Sequence, residues 1–433
     1  MSSKRSCGSC CALALTLACL AANGQMANAP AKPPAIPVNY DETQVGSYTL
    51  PDPLVLANGK RVSSAETWWK QRRPEIVALF EANMHGRSPG RPPRMSFDVF
   101  DKGTPVFGGK ALRRQVDIRF SDDPGAPKIP LLLYLPAPGG KPAPLLLHLS
   151  FSANSSTIDD PGVRPGEVWN RDRKKVTAPS GARGPRLPLD DFLAAGFGVA
   201  TMYYGDIEPD FPGGLALGVR SLFLKPGQSE PGPEEWGAIA AWAWGLSRAM
   251  DYLETDPSVD ANRVAIMGVS RLGKTVLWAG ARDTRFALVV SCCSGEGGGS
   301  LSRRDYGETV KHLNQNFPHW FCGNYRQFSD RVNQLPVDAH MLLSLIAPRP
   351  VYLSTGDQDR WADPKGEFLT AVAADPVYRL LGRPGLGADQ MPPADQPIQN
   401  TIGYHMHAGG HGTNAFDWEQ YLKFLKKHLS AKE

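Results

Sequence analysis

Residues 267–275 read "MGVSRLGKT", and the fold depends on what this stretch does. Its G-x4-G-K-T spacing matches the P-loop, whose glycine-rich backbone surrounds a phosphate. The same residues lie between an apolar run at 264–267 and a helical pattern. Ser270 would then sit at a sharp turn from strand to helix, where a serine is presented as a nucleophile. The stretch therefore either binds a phosphate or attacks an ester.

The sequence lacks the other elements that normally accompany a P-loop. A P-loop site normally includes an apolar strand that ends in an aspartate near the magnesium ion, and only the stretch 351–357 offers one. A P-loop also usually follows the first strand of its domain, whereas several apolar runs precede this one. We therefore expect the turn to present Ser270 and not to bind a nucleotide.

Short apolar runs alternate with helical patterns along most of the chain. The runs are at 131–135, 145–149, 199–204, 264–267, 288–292, 351–354 and 402–407. Strands that are apolar on both sides indicate a parallel sheet covered by helices on both faces. We predict an α/β fold: a three-layer sandwich of the α/β-hydrolase kind with a mostly parallel central sheet. An N-terminal extension (about 40–100) and long surface insertions at 154–188 and 384–397 would be added to it.

A serine nucleophile needs a base and an acid, and the sequence offers both in the expected order. The base takes the serine proton, and a carboxylate orients the base. In α/β-hydrolases the three residues follow one another as serine, acid, histidine. Asp359 and His411 each come shortly after one of the last two apolar runs. We therefore predict a catalytic triad of Ser270, His411 and Asp359, although Leu272 stands where the turn usually has a small residue.

The histidines near the C-terminus allow a third interpretation. His405, His407 and His411 form an H-x-H-x3-H pattern, and histidines that share a face of a strand can bind zinc. We favour His411 as the general base, with His405 and His407 as packing residues beside it. We accordingly expect neither a metal nor another cofactor.

The first residues resemble an export signal. The chain of 433 residues has a formal net charge of +4 and no long run of like charges, which argues against nucleic-acid binding. Residues 1–29 carry two basic residues, an apolar stretch and Ala-Asn-Ala, as a signal peptide does; a lipid on Cys19 is the weaker alternative. We predict a proline-rich tether at 30–39 and a catalytic domain at 40–433, exported to the periplasm or secreted, with no part embedded in a membrane.

Three cysteines remain after the predicted signal peptide: Cys292, Cys293 and Cys322. Export favours oxidation, so Cys322 could pair with one of the other two. Three buried, reduced thiols are the alternative. The sequence does not decide between them.

Six stretches of the chain resemble the bacterial glucuronoyl esterases, and the resemblance runs from about Tyr40 to the C-terminus. The stretches are "GVATMYYGDI" (198–207), "GVSRLGKT" (268–275), "SLSRRDYGETV" (300–310), "NFPHWFCGNY" (316–325), "LIAPRPVYLSTGDQDRWADPKGEF" (345–368) and "GYHMHAGGHGTNAFDW" (403–418). The resemblance implies hydrolysis of the ester between (4-O-methyl-)D-glucuronoyl groups of glucuronoxylan and lignin alcohols. It also implies an α/β-hydrolase carbohydrate esterase whose partners are lignin-carbohydrate esters, and we expect a monomer.

The resemblance further implies roles for individual residues. Arg271 corresponds to a residue that holds the oxyanion, and Lys274, Glu308 and Trp361 correspond to contacts with the uronate. On physical grounds alone, Lys274 and Glu308 would be surface charges and Trp361 a core residue. Two other functions remain open: an acetyl xylan esterase with the same triad, and a catalytically inactive carbohydrate-binding homologue.

The triad acid is the residue on which this sequence departs from part of the family. Some members have a glutamate at the position that Cys293 occupies here, and a thiol holds no fixed negative charge. Others have an acid after the penultimate strand, which Asp359 matches. We assign Asp359 as the acid and keep Glu296, three residues after Cys293, as the alternative.

Overall fold

The computed structural model describes residues 35–137, 140–181 and 187–430. The predicted signal peptide (1–29) and the first half of the tether (30–34) therefore lie outside the described residues. From Val38 onward the chain forms one compact unit. No helix among the described residues has the length and apolar character that crossing a membrane requires.

The described part of the chain alternates strands and helices after an N-terminal helical region. The strands are β1 (Ser96–Val106), β2 (Ala111–Arg119), β3 (Lys128–Pro136), β4 (Ala143–Ser150), β5 (Glu167–Trp169), β6 (Lys175–Thr177), β7 (Gly198–Tyr203), β8 (Val259–Val269), β9 (Leu288–Cys292), β10 (Val351–Gly356), β11 (Ile398–Gln399) and β12 (Ile402–His407). The α-helices are α1 (Ala65–Thr67), α2 (Arg73–Phe80), α3 (Leu189–Ala194), α4 (Tyr204–Ile207), α5 (Ala238–Leu253), α6 (Arg271–Arg282), α7 (Val310–Asn316), α8 (Ala339–Ser344), α9 (Pro364–Leu380) and α10 (Ala415–Leu429). Two π-helical segments, Trp68–Arg72 and Glu81–His85, flank α2.

One large sheet organises the molecule, in the order β1-β2-β3-β7-β4-β8-β9-β10-β12-β11. The six strands from β7 to β12 in this order run parallel to one another. The strands β1, β2 and β3 and the short edge strand β11 pair antiparallel. All seven apolar runs of the sequence coincide with strands of this sheet, except that Tyr204 already begins α4, which confirms the predicted mostly parallel α/β fold.

Alternate residues of the strands face two separate apolar layers. In β8, Val264 and Ile266 pack into the larger cluster, together with helices α5 and α6. Ala265 and Met267 pack into the other cluster, against α3 and α10. Because side chains alternate across a sheet, only a continuous apolar run can fill both layers. This is the physical reason why the runs were readable from the sequence.

The antiparallel extension of the sheet was not predicted. The hairpin of β1 and β2 begins within the expected N-terminal extension, and a second hairpin, β5 with β6, lies inside the expected insertion at 154–188. Most residues of β1 and all of β6 are at least partly exposed. A strand that buries little has no need of an apolar run, so hydrophobic patterning does not reveal it.

Candidate active site

Ser270 occupies a strained turn between β8 and α6. Its backbone has φ 59° and ψ −127°, a conformation that costs a non-glycine residue about 1–3 kcal/mol. The Ser270 N–H donates to the carbonyl of Cys292 at 2.8 Å, which ties the turn to β9. A Cβ atom at Gly268 would lie 2.2 Å from the carbonyl oxygen of Leu272, so this turn requires the glycine. The geometry is that of a nucleophile elbow.

The lysine of the P-loop pattern is bound to other groups of the protein. The Lys274 ammonium donates to the carbonyls of Ser294 (2.8 Å) and Glu296 (2.5 Å) and pairs with Glu308 Oε2 at 3.1 Å. An ammonium group has three N–H donors, and all three have partners within the protein. These contacts leave the ammonium no free donor for a phosphate, and the turn itself has the geometry of a nucleophile elbow.

His411 pairs with Asp359 across two loops. His411 Nδ1 lies 2.7 Å from Asp359 Oδ2; the histidine side chain is 45% exposed and the aspartate side chain 4%. This hydrogen bond raises the pKa of His411 against the opposing effect of burial. With Nδ1 engaged, the Nε2 atom of the same ring is the one left for proton transfer.

Backbone bonds hold these two loops together. The N–H of Asp357 donates to the carbonyl of His407, and the N–H of Gln358 donates to that of Gly409, both at 2.9 Å. The Asp357 carboxylate also accepts from the Gly409 N–H at 2.8 Å. The loop after β10 and the loop after β12 are therefore joined by three hydrogen bonds, which fix the position of Asp359 relative to His411.

The parallel strands bring the three predicted triad residues to one edge of the sheet. Ser270 follows β8, Asp359 follows β10 and His411 follows β12. The carboxyl ends of parallel strands meet at the same edge, which is where open α/β sheets place their sites. An elbow serine and a histidine–carboxylate pair at this edge have the composition needed for acyl transfer.

The geometry does not support Glu296 as the alternative acid. Its carboxylate accepts from the hydroxyls of Ser302 (2.7 Å) and Tyr325 (3.2 Å) and is not the partner of His411. Burial raises the pKa of Glu296 to about 8. A carboxyl group that is mostly neutral at pH 7 is also poorly suited to stabilising an imidazolium.

Cys293 lies beside the His411–Asp359 pair. Its Sγ accepts from the N–H of Gly412 at 3.4 Å, next to the histidine in sequence. A hydrogen bond from Cys292 lowers the pKa of the Cys293 thiol to about 7, helped by the charge of His411 and opposed by burial. Cys292, Cys293 and Cys322 are all free and buried, so the described residues contain no disulfide of the kind that export favours.

The Arg271 side chain lies in a pocket of aromatic and acidic groups. Its guanidinium pairs with Asp210, and its central carbon lies 5.0 Å from the centroid of the Trp320 ring. Asp210 also accepts from His319 Nε2 (2.8 Å) and Trp320 Nε1 (2.7 Å). Burial opposes ionisation of Asp210, but these hydrogen bonds and the charge of Arg271 lower its pKa. Arg271 is therefore held by a carboxylate that stays charged.

Three of the residues around Arg271 were missed by the sequence interpretation. His319 and Trp320 lie in the stretch at 316–325 that carried the resemblance, but no role was assigned to them. Asp210 stands among prolines and glycines after β7. The one available signal for Asp210 was its position just beyond the carboxyl end of a parallel strand, where site residues gather.

Lys274 and Glu308 are not surface charges, and Trp361 is not a fully buried core residue. The side chains of the first two are 4% and 7% exposed and form an ion pair. The Glu308 N–H donates to the carbonyl of Trp361 at 3.0 Å, and the half-buried Trp361 ring packs edge-on against His312. A buried ion pair with a partly exposed indole beside it fits a binding site better than a solvated face.

The three C-terminal histidines do not converge on one metal position. His405 Nε2 and His407 Nδ1 both contact Asp417 Oδ1, at 2.7 and 3.0 Å. His407 Nε2 lies 2.9 Å from the carbonyl of Gly410. His411 is turned instead to Asp359. The geometry therefore does not support a zinc site built from all three histidines, because His405 and His407 pair with Asp417 while His411 pairs with Asp359.

The His407–Asp417 pair predicts a pH dependence of stability. Asp417 raises the pKa of His407 to about 9, above the value of about 6.5 in an unfolded chain. The stabilisation from charged His407 is therefore complete below about pH 6.5 and is lost as the pH rises through 9. We expect the free energy of unfolding, measured with a denaturant, to fall less steeply over this window in His407→Gln than in the wild type.

A second histidine provides the control. His428 has a lowered pKa because of burial, so above about pH 7.5 it is neutral in both the folded and the unfolded chain, and His428→Gln should leave the slope unchanged from there to about pH 9. Parallel curves for the wild type and His407→Gln would contradict the assignment.

Comparisons with known proteins show extensive similarity. A sequence profile described as "Glucuronyl esterase, fungi" matches residues 231–382. Carbohydrate esterase MZ0003, from an unknown prokaryotic organism, is 46% identical over 400 residues, which is 90% of this chain and 92% of that protein. A 4-O-methyl-glucuronoyl methylesterase of Phanerochaete carnosa is 28% identical over 367 residues, 81% and 75% of the two chains.

The similarity extends to solved structures. The glucuronoyl esterase from Solibacter usitatus is 51% identical and superposes with a TM-score of 0.87. The match covers 90% of this chain and 100% of that one. The similarity is therefore not confined to the turn around Ser270 but includes the whole sheet and the loops at its edge.

Proposed function

This chain belongs to the bacterial glucuronoyl esterase family, carbohydrate esterases with the α/β-hydrolase fold, and we propose that Ser270, His411 and Asp359 carry out its ester hydrolysis. The protein is a carboxylic ester hydrolase that acts on glucuronoyl esters. The observation that carries the triad assignment is the 2.7 Å contact between His411 Nδ1 and Asp359 at the sheet edge that also presents Ser270.

The reaction follows from the roles of the three groups. Ser270 Oγ attacks the uronoyl carbonyl carbon while His411 Nε2 takes the serine proton. The tetrahedral intermediate then breaks its bond to the alcohol oxygen, and His411 returns the proton to that oxygen. Water, deprotonated by the same histidine, releases glucuronate from Ser270. Asp359 holds the ring and stabilises its charged form throughout.

Arg271 is the proposed stabiliser of the oxyanion. As the first residue of α6 it has a backbone N–H with no acceptor inside the helix, and this N–H follows the nucleophile directly. Asp210 and Trp320 hold its guanidinium within the same pocket. Donors that are fixed before the reaction stabilise a developing negative charge most effectively.

Lys274, Glu308 and Trp361 form the proposed uronate subsite. Since the Lys274 ammonium already has three partners, it would contact a sugar hydroxyl only by sharing or exchanging one of them. Glu308 is the partner most easily shared, because its carboxylate can accept from a hydroxyl and from Lys274 at once. Trp361 offers a partly exposed ring face beside this pair, suited to packing against a sugar.

The finer substrate and the location of the enzyme are also proposals. We propose that the alcohol released is a lignin alcohol and that the uronate belongs to glucuronoxylan, as the resemblance implies. Residues 1–29 would direct export and 30–39 would act as a tether, so the enzyme would meet the polysaccharide in the periplasm or outside the cell. We also propose that the chain acts as a monomer.

Ester preference tests this function. We expect the purified mature chain to hydrolyse benzyl glucuronate with a far higher kcat/KM than an acetyl ester such as acetylated xylan. Glu308→Gln should reduce turnover of the uronate ester by about tenfold to a hundredfold, since a hydrogen bond to a charged group contributes about 1.5–3 kcal/mol. The same variant should leave the acetyl ester rate nearly unchanged, because an acetyl group reaches no uronate subsite.

The two alternatives give different results in this experiment. An acetyl xylan esterase would favour the acetyl ester and lose little of that activity in Glu308→Gln. An inactive carbohydrate-binding homologue would hydrolyse neither substrate. The buried Lys274–Glu308 pair argues against the first alternative, and the intact Ser270, His411 and Asp359 argue against the second.

A further inference from the structure

Cys293 brings a third metal-binding group to the His411–Asp359 pair. One ligand atom from each of Cys293, Asp359 and His411 lies within 4.8 Å of the other two. The three residues come from the loops after β9, β10 and β12, which adjoin in the sheet. No step of the proposed hydrolysis uses the thiol, so its position there calls for a separate explanation.

We propose that Cys293, Asp359 and His411 form an inhibitory binding site for Zn²⁺ or another thiophilic divalent cation. Thiolate, imidazole and carboxylate are the ligands that zinc takes in proteins, at about 2.0–2.3 Å. Ligand atoms around a tetrahedral ion of this size stand about 3.3–3.7 Å apart. The separations in the structure therefore require only small side-chain movements, and the fourth position remains for water.

Access to this site is provided by the histidine. The His411 side chain is 45% exposed, whereas Cys293 and Asp359 are buried behind it. An arriving ion meets the imidazole first and then the two anionic ligands. Hard ions such as Mg²⁺ prefer sites made only of oxygen atoms, so a site with one sulfur and one nitrogen selects against them.

The second cluster of possible ligands is a poorer candidate. His405, His407 and Asp417 also lie close together, but all three are buried. Their ring nitrogens are occupied as well: His405 Nδ1 contacts the Tyr352 hydroxyl at 2.9 Å, and His407 Nε2 contacts the carbonyl of Gly410. An ion there would have to break this network without a route from solvent. Among the described residues, the site at Cys293 is therefore the preferred one.

Occupation of the site would stop hydrolysis. The cation displaces the thiol proton of Cys293 to solvent and binds the lone pair of one ring nitrogen of neutral His411, so the single ring proton stays on the other nitrogen and the ring keeps no lone pair for the serine proton. It also engages the carboxylate that orients this ring. The histidine then has no free base in the correct orientation, so Ser270 is not deprotonated. Removal of the cation by a chelator restores the starting state, since the thiolate takes its proton back from solvent and no carbon–sulfur or carbon–nitrogen bond has changed.

Inhibition of the mature chain by Zn²⁺ tests the proposal; this readout rests on the proposed function. We expect micromolar Zn²⁺ to inhibit hydrolysis of benzyl glucuronate, EDTA to reverse the inhibition, and Mg²⁺ to have no effect. In Cys293→Ser the Zn²⁺ concentration for half-inhibition, relative to the metal-free rate of the variant, should rise at least about tenfold. Cys322→Ser removes a buried thiol elsewhere and should keep the wild-type sensitivity. Equal sensitivity of Cys293→Ser and the wild type would overturn the proposal.

A spectroscopic measurement separates the site from the activity. Co²⁺ bound through a thiolate gives a sulfur-to-metal charge-transfer absorption in the near ultraviolet. We expect this absorption in the wild type and in Cys322→Ser and its loss in Cys293→Ser, with circular dichroism confirming that each variant is folded. If the chain hydrolysed no glucuronate ester yet showed this absorption, the proposed function would fail and the metal site would stand. Absence of the absorption from the wild type would overturn the site itself.

Discussion

Ser270→Ala is expected to lower kcat/KM for benzyl glucuronate by on the order of 10⁵–10⁶-fold, the scale found when the nucleophile of a serine triad is removed. The reason is that alanine has no oxygen to attack the uronoyl carbonyl, so the acyl-enzyme cannot form. The strained backbone of the turn should tolerate alanine because its Cβ is the same as that of serine. Initial rates at several substrate concentrations, with circular dichroism and thermal unfolding, measure both effects.

A nearby serine offers a matched control. Ser291 lies in β9, fully buried, and its hydroxyl has no hydrogen-bond partner among the described residues. Ser291→Ala removes the same atom from the same region of the sheet without touching the proposed nucleophile. It should therefore retain near wild-type turnover. Retained turnover in Ser270→Ala, or an equal loss in both variants, would remove Ser270 from the mechanism.

Asp359→Asn should cost roughly 10³–10⁴-fold in kcat, in line with loss of the carboxylate from other triads. The asparagine keeps the shape of the side chain but not its charge, so it neither stabilises the imidazolium nor fixes the ring tautomer. Because Asp359 raises the pKa of His411, its loss should also move the acidic limb of the pH–rate profile to lower pH. The limb reports the pH at which the free histidine becomes a base.

Glu296→Gln is the matched control for this second prediction. Burial raises the pKa of Glu296 to about 8, so at pH 6 its carboxyl group is neutral and the amide is a close replacement. The hydroxyls of Ser302 and Tyr325, which donate to Glu296, can also donate to the amide oxygen of glutamine. The control should keep near wild-type kcat and an unshifted profile. A greater loss in Glu296→Gln than in Asp359→Asn would reverse the assignment of the acid.

The choice between these two acids shows where sequence reasoning reached its limit. Both are acids that follow a parallel strand, and order along the chain permits either. The structure separates them by contact: Asp359 meets a residue 52 positions away, whereas Glu296 turns to Ser302 and Tyr325. Such a contact depends on how two loops pack, which no local pattern encodes.

Burial of charge was a second point that the sequence did not reveal. Lys274 and Glu308 are 34 positions apart and would each be read as solvated. Their burial is possible because the carbonyls of Ser294 and Glu296 accept the two N–H groups of the ammonium that Glu308 does not. The sequence did not assign a role to Asp210, His319 or Trp320 for a similar reason. Their place in the site depends on contacts with one another and with the guanidinium of Arg271, which only the folded chain forms.

By itself, the sequence determined the parallel sheet and the edge at which the site lies. A strand covered on both faces must be apolar throughout, and a serine at a sharp turn after such a strand has a local signature. Only the tertiary structure decided which acid pairs with His411, which histidine bonds to the loop of His411 and which thiol lies next to that loop. Those relations join loops up to 119 positions apart, and they arise from the order of strands in the sheet and the packing of the loops beyond them.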